Sequence, residues 1–277
     1  MIKLFDKENK EIKFETALFP DKTSQCWKIE RQLEVHTVLW QFESEAEVFQ
    51  LFQLLKLIPS GYQLVVPFMP FARQDKAISN TTTFARQVLL DILHDQFHVR
   101  NIICTDPHSN YGAGNGEKSD LWILDTKLQN QMFSQAINEN DIICYPDKGA
   151  KSRYGFNHKP VIYFDKVRNQ QSGVIESIKL CGENVELRDK KILIVDDLCD
   201  GGGTFIQAAN VLKQYNPKEI NLAITHGIFS NKSGILNLLE NGINKIYTTN
   251  TYIRSEFVEN QIARNMDQVE VFNLNFI

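Results

Sequence analysis

The chain has 277 residues, of which 43% are hydrophobic and 23% charged, with a net charge of −4. That is the composition of a soluble globular protein, long enough for one large core or two of ordinary size. The excess of acid and the lack of any basic block argue against nucleic acid as a partner, and no apolar run approaches the ~20 residues of a membrane span.

The first residues, MIKLFDKENKEIKF, are charged and lack a signal-peptide core. Five scattered cysteines without CxxC spacing read as reduced thiols in a cytoplasmic protein. Residues 1–40 carry little readable pattern until Leu33 to Trp40, which reads as a strand. From Ser44 to Ile58 apolar residues recur at helical spacing, with Ser44 as N-cap and Glu47 as its capping-box partner. A buried strand at Leu64–Met69 leads into Arg73 and Gln74, a planar fork and a neutral donor suited to phosphate oxygens, or a solvated turn. A second helix at Thr81–His94 is followed by a strand at Val99–Asp106 and then His108.

Tyr111 to Lys118 (YGAGNGEK) has glycines but opens no helix, so it reads as a surface link between halves. Beyond it the pattern predicts strands at Leu121–Leu124, Ile142–Tyr145, Val161–Phe164, Ile192–Val195, Leu222–Thr225 and Lys245–Thr248. Helical patterns fall between most of them. Such alternation predicts an α/β fold with mostly parallel sheets flanked by helices. Ile102-Ile103-Cys104 and Ile142-Ile143-Cys144 both run into acid-bearing turns, which fits two similar α/β halves. The expected domains are 1–118 and 119–277, with the last strand returning to the N-terminal one.

The densest chemistry is at Lys191–Phe205, KILIVDDLCDGGGTF. An apolar β-branched run ends in Asp196 and Asp197, then Asp200, Gly201, Gly202, Gly203 and Thr204 open an amphipathic helix. Glycines let several N–H groups converge on one anion, and the helix adds its positive dipole end. Adjacent carboxylates accept hydrogen bonds from vicinal hydroxyls or hold a divalent cation. A phosphate cradle beside a diol clamp describes a site for a sugar phosphate. The plainer alternative is a glycine turn with acids facing water.

That stretch resembles the ribose-phosphate signature of type I phosphoribosyltransferases and of phosphoribosyl diphosphate (PRPP) synthetases. Further motifs in the same order select the synthetases. PFMPFARQDK resembles their PYARQDR segment, which implies ATP contacts for Arg73 and Gln74. CTDPHS resembles DLHA and gives His108 a place at the metal-triphosphate site, while YPDKGAKSR resembles SPDVGGVVR and gives Asp147 to magnesium or the ribose. FDKVRNQQ carries Lys166 and Arg168 where the family has its catalytic pair on a closing loop, and THGIFS resembles a supporting strand end. The resemblance implies two similar phosphoribosyltransferase type I-like domains, Mg2+ as cofactor and a homo-oligomer. The reaction it implies transfers the β,γ-diphosphate of ATP to the 1-hydroxyl of ribose 5-phosphate.

The chain departs from the pattern in two places that bear on function, and it also lacks the family's FSGTSN-like start. WQFESEAE replaces the adenine-contacting RFxDGE segment, leaving Phe42 to stack on adenine with the acids displaced to Glu43 and Glu45. Gly201 replaces the first Thr of Asp-Thr-Gly-Gly-Thr, removing a hydroxyl donor to the 5-phosphate and adding space. A phosphate already esterified then fits more easily, so ADP-ribose is the alternative acceptor, giving ADP-ribose 1-diphosphate for NAD metabolism. Two further alternatives are a phosphoribosyltransferase that consumes PRPP and a non-catalytic nucleotide-binding homologue.

Overall fold

The computed structural model describes residues 1–74, 81–109, 121–156, 159–168, 175–230, 234–252 and 254–277. The chain divides into two compact units. One comprises Met1–Lys127, Thr251–Ile253 and Asn275–Ile277, the other Leu128–Asn250 and Arg254–Leu274. The division between Lys127 and Leu128 falls later than the 118/119 break expected from sequence. The reason is that the strand at Trp122–Asp125 pairs in parallel with the preceding Asn101–Cys104 strand. The expected link Tyr111–Lys118 lies outside the described residues.

The first unit holds β1 (Ile2–Phe5), β2 (Glu11–Ile12), β3 (Glu15–Leu18), β4 (Ser24–Trp27), β5 (Thr37–Trp40), α1 (Ala46–Leu57), β6 (Gln63–Val65), α2 (Ala85–Phe97), β7 (Asn101–Cys104) and β8 (Trp122–Asp125). Its main sheet runs β2-β1-β5-β6-β7-β8, parallel from β5 onward, and β3 and β4 form a separate antiparallel pair. The order β5-β6-β7 advances in one direction, so right-handed crossovers put α1 and α2 on one face. Leu51, Leu54 and Leu55 of α1 and Leu89, Leu90 and Leu93 of α2 accordingly share one core with Val38, Trp40, Leu64 and Ile102.

Two local expectations fail here for identifiable reasons. Ser44 does not cap α1; the helix starts at Ala46 with no side-chain cap, and the Glu47 carboxylate accepts instead from the Glu43 N–H (3.0 Å) and Trp40 Nε1–H (3.2 Å). The strand expected over Leu64–Met69 is regular only to Val65, because Pro67 and Pro70 cannot donate to a ladder.

The second unit holds α3 (Asn130–Asn138), β9 (Ile142–Tyr145), α4 (Lys148–Tyr154), β10 (Val161–Arg168), β11 (Ile175–Gly182), β12 (Lys191–Cys199), α5 (Gly203–Leu212), β13 (Glu219–Gly227), α6 (Gly234–Glu240), β14 (Lys245–Thr249), α7 (Glu256–Arg264) and β15 (Val269–Phe272). The sheet order is β11-β10-β9-β12-β13-β14-β15, parallel except where β10 meets β11. The last strand does not return to the first unit, since β15 pairs with β14.

Strand order reverses between β9 and β12, so both faces are covered. Ile192 and Ile194 of β12 face a core with α5, α6 and α7, whereas Leu193 and Val195 face Met132, Phe133 and Ala136 of α3 and Ala150 of α4. A strand buried on both sides must be apolar at every position, which is why this run is the clearest strand in the sequence. Among the described residues no helix is long and apolar enough to cross a membrane.

Candidate functional site

In open α/β sheets, ligands bind beyond the carboxyl ends of strands where strand order reverses. In the second unit that point lies between β9 and β12. Asp147 follows β9, and Asp196 and Asp197 lie near the carboxyl end of β12, before Asp200 to Thr204. The second unit therefore gathers Asp147, Asp196, Asp197 and the whole glycine turn at one end of one sheet.

Sequence reasoning missed one residue there. Arg153, on α4, donates from Nη1 to Asp197 Oδ1 at 2.7 Å and to Asp196 Oδ1 at 3.3 Å. It bridges the reversal, since α4 follows β9 and the acids lie near the carboxyl end of β12. The signal was present: Arg153 closes the YPDKGAKSR stretch, yet the predicted strand gave no reason to expect a helix there. Asp147 supplies that reason, capping α4 by accepting the Ala150 N–H at 2.9 Å.

The two acids are not equivalent. The Asp197 side chain is only 3% exposed and is committed to Arg153, while Asp196 keeps 17% exposure. Burial, reinforced by the neighbouring Asp197 charge, holds the Asp196 carboxyl well above the usual carboxylate range, against the pull of Arg153. Burial opposes the Arg153 charge, but Asp197, Tyr154 and Asp196 together outweigh it and raise the guanidinium above its ordinary range.

The glycine turn is braced from β13. Asp200 Oδ1 accepts from the Ser230 N–H at 3.0 Å and from the Ser230 hydroxyl. Gly202 has φ +77° and N-caps α5, and a Cβ there would sit 3.0 Å from Leu238 Cδ2. Gly201 and Gly203 would meet nothing within 4 Å. Gly203 and Thr204 are exposed, and their amides belong to the first helical turn, whose N–H groups have no intrahelical partner. The turn thus presents donors at a positive helix end, with one glycine fixed by conformation. Gly202→Ala is expected to cost about 1–2 kcal/mol from its left-handed backbone alone, and Gly201→Ala close to nothing. Urea denaturation midpoints of the two variants check this.

The backbones of Lys166 and Arg168 lie in β10, opposite Ile178 and Ile175 of β11, with an irregular register between Val167 and Arg168. Their side chains lie outside what is described. Beside them, Asp165 accepts from Lys148 Nζ of α4 at 2.7 Å.

In the first unit, Arg73 and Gln74 are exposed in a turn closed by the Gln74 N–H to Phe71 O at 2.8 Å, and Asp75 and Lys76 lie outside the described residues. His108 is half-buried past β7, after the left-handed Asp106 (φ 48°). Phe42 is half-buried, with ring centroids 5.7 Å from Trp40 and 6.1 Å from Phe71. Among the described residues no cluster of three or more His, Cys, Asp or Glu is set to hold a metal. His108 and Asp147 therefore belong to no ready-made cage.

A buried parallel sheet with an acid pair and a glycine turn at its reversal defines a phosphoribosyltransferase-type unit, and the phosphoribosyl transferase domain family matches residues 158–239. The ribose-phosphate pyrophosphokinase of Pyrococcus furiosus is 28% identical over 69% of this chain and 68% of its own length. That of Pyrococcus abyssi is 26% identical over 87% and 84% respectively. The fold matches the phosphoribosylpyrophosphate synthetase of Mycobacterium smegmatis with a TM-score of 0.72, at 18% identity over 96% of this chain and 87% of that one. The chain is thus similar in sequence to ribose-phosphate pyrophosphokinases, and it shares the fold of a phosphoribosylpyrophosphate synthetase.

Proposed function

We propose that the protein transfers the β,γ-diphosphate of ATP to the anomeric hydroxyl of ribose 5-phosphate, giving PRPP and AMP. The sugar oxygen attacks the β-phosphorus, the bond from that phosphorus to the α-bridging oxygen breaks, and the hydroxyl proton is lost. The observation that carries this reading is the convergence of the Arg153-held acid pair and the Gly201–Thr204 turn at the reversal between β9 and β12. Asp196 and Asp197 receive the ribose hydroxyls, and Asp200, Gly201, Gly202, Gly203 and Thr204 receive the 5-phosphate. Arg73, Gln74 and His108 hold the nucleotide phosphates and Phe42 borders the adenine. Lys166 and Arg168 neutralise charge that builds on the transferring group.

Magnesium fits this donor set. It favours oxygen ligands, keeps several waters, and is commonly held by one or two carboxylates plus substrate phosphates, so no closed cage is required. Asp147 supplies a carboxylate and His108 stands among the groups facing the triphosphate. When bound, the ion supplies charge neutralisation to the phosphates. The chain acts in the cytoplasm, in line with its five free cysteines. It assembles as a homo-oligomer, for which the exposed Phe49 and Leu57 of α1 and Val88 of α2 offer apolar surface.

The test is AMP release from ATP and Mg2+ with ribose 5-phosphate and ADP-ribose offered separately. Release with neither acceptor would remove the reaction class. A second reading, ADP-ribose as acceptor, is favoured by Gly201. Its φ is not positive and a Cβ would meet nothing within 4 Å, so packing does not demand glycine there. The missing hydroxyl is then a feature facing the ligand. Gly201→Thr is expected to shift kcat/KM about tenfold towards ribose 5-phosphate relative to ADP-ribose, the worth of one hydrogen bond to a charged group. An unchanged ratio would sink the ADP-ribose reading.

A further inference from the structure

Arg254 is an arginine where a sheet protein has little use for one. Its side chain is 3% exposed, five residues beyond the end of β14. Burying a guanidinium is costly unless its donors are met. Here Nη1 donates to Thr249 O at 2.9 Å and to Gly227 O at 3.3 Å, and Nε to Glu259 Oε1 at 2.8 Å. One cation thus ties together the carboxyl ends of β13 and β14.

The Gly227 end leads straight to the glycine turn. A Cβ on Gly227 would lie 2.5 Å from Phe229 Cε2 and 2.7 Å from Thr248 Oγ1, so the chain folds back tightly through a left-handed Phe229. From that fold-back, the N–H groups of Ile228 and Phe229 donate to Cys199 O at 2.9 and 3.3 Å, and Ser230 donates to Asp200. The three residues after Gly227 thus join the end of β13 to Cys199 and Asp200.

We propose that Arg254 is a positioning residue for the acceptor's phosphate cradle, acting through Gly227–Ser230 on Cys199 and Asp200. This rests on the cradle role given to the turn above. Arg254 touches no substrate; it sets where the turn sits. A purely structural clamp would lower stability and leave acceptor affinity alone.

The experiment measures ribose 5-phosphate binding by calorimetry without ATP, alongside AMP-release kinetics, on the full chain. The variants are Arg254→Met, Arg254→Lys and Ser230→Ala, each compared below its melting transition. Arg254→Met and Ser230→Ala are expected to weaken ribose 5-phosphate binding about tenfold and raise the acceptor KM, with the ATP KM unchanged. Arg254→Lys should recover part of the loss. Ser230 is exposed, so its alanine variant carries the test even where Arg254→Met fails to fold. Wild-type affinity in Ser230→Ala overturns the inference while the reaction stands. If the wild-type protein binds ribose 5-phosphate but releases no AMP, the reaction falls and the positioning role stands or falls on the calorimetry alone. No ribose 5-phosphate binding by the wild-type protein overturns both.

Discussion

Lys166→Ala is expected to slow AMP release by about 10²–10³-fold at saturating ATP and acceptor, the range seen when a single group stabilising transition-state charge is lost. Arg168→Ala should fall in the same range. Both should bind ATP nearly as the wild-type protein does. Diphosphate transfer asks little covalent chemistry of the protein; it asks for positive charge at oxygens that become more negative as the β-phosphorus changes partners. A cation that acts mainly at that moment lowers kcat and kcat/KM together and leaves ground-state binding in place. The backbone positions suit groups of this kind. β10 and β11 form an antiparallel ribbon at the sheet edge, with β11 outermost, and the pairing becomes irregular between Val167 and Arg168. Single-turnover AMP release and equilibrium ATP binding, measured on the same preparations, separate the two effects. Turnover within threefold of the wild-type protein in Lys166→Ala would remove Lys166 from the chemistry.

What the sequence made legible follows from what forces a pattern on it. Ile192–Val195 was readable because a central parallel strand is buried on both faces and must be apolar throughout. The acids and glycines after it were readable because few other needs put two carboxylates and three glycines at one strand end. The strands β1 to β4 were illegible because they are edge or paired ribbons, two to four residues long, with half-exposed patterns. β11 and β15 were missed for a related reason: outermost strands of the sheet need no continuous apolar run. Arg153 shows a different limit. Its neighbours in sequence say nothing of β12, and only the reversal of strand order brings α4 over Asp196 and Asp197. The packing of Phe42 against Trp40 and Phe71 is likewise a tertiary fact no local pattern carries.

Arg153→Met is expected to cost about 3 kcal/mol of stability at neutral pH, the lower end of the range for breaking one side of a buried ion pair. The lower end applies because Arg153 keeps 21% exposure, while Asp197 keeps only 3%. The loss comes mainly from leaving Asp197 ionised beside Asp196 with no cation. An unpaired buried carboxylate relieves itself by taking up a proton. The sign of the pH dependence follows. A carboxyl whose folded pKa rises above its unfolded value destabilises the protein at pH above that folded value, and the penalty fades as pH falls towards the ordinary range near 4. The deficit of Arg153→Met relative to the wild-type protein should therefore be largest at neutral pH and shrink on acidification. Arg153→Met combined with Asp197→Leu should recover most of the stability, since replacing both partners of a buried pair by apolar groups is often neutral. It should not recover ribose 5-phosphate binding, because the carboxylate proposed to accept the ribose hydroxyls is gone. Urea denaturation across pH 5 to 8, with calorimetric titration of ribose 5-phosphate at each point, reads both quantities. A deficit that does not change with pH, or an acceptor affinity restored in the double variant, would mean that Arg153 does not hold the acid pair for the ligand.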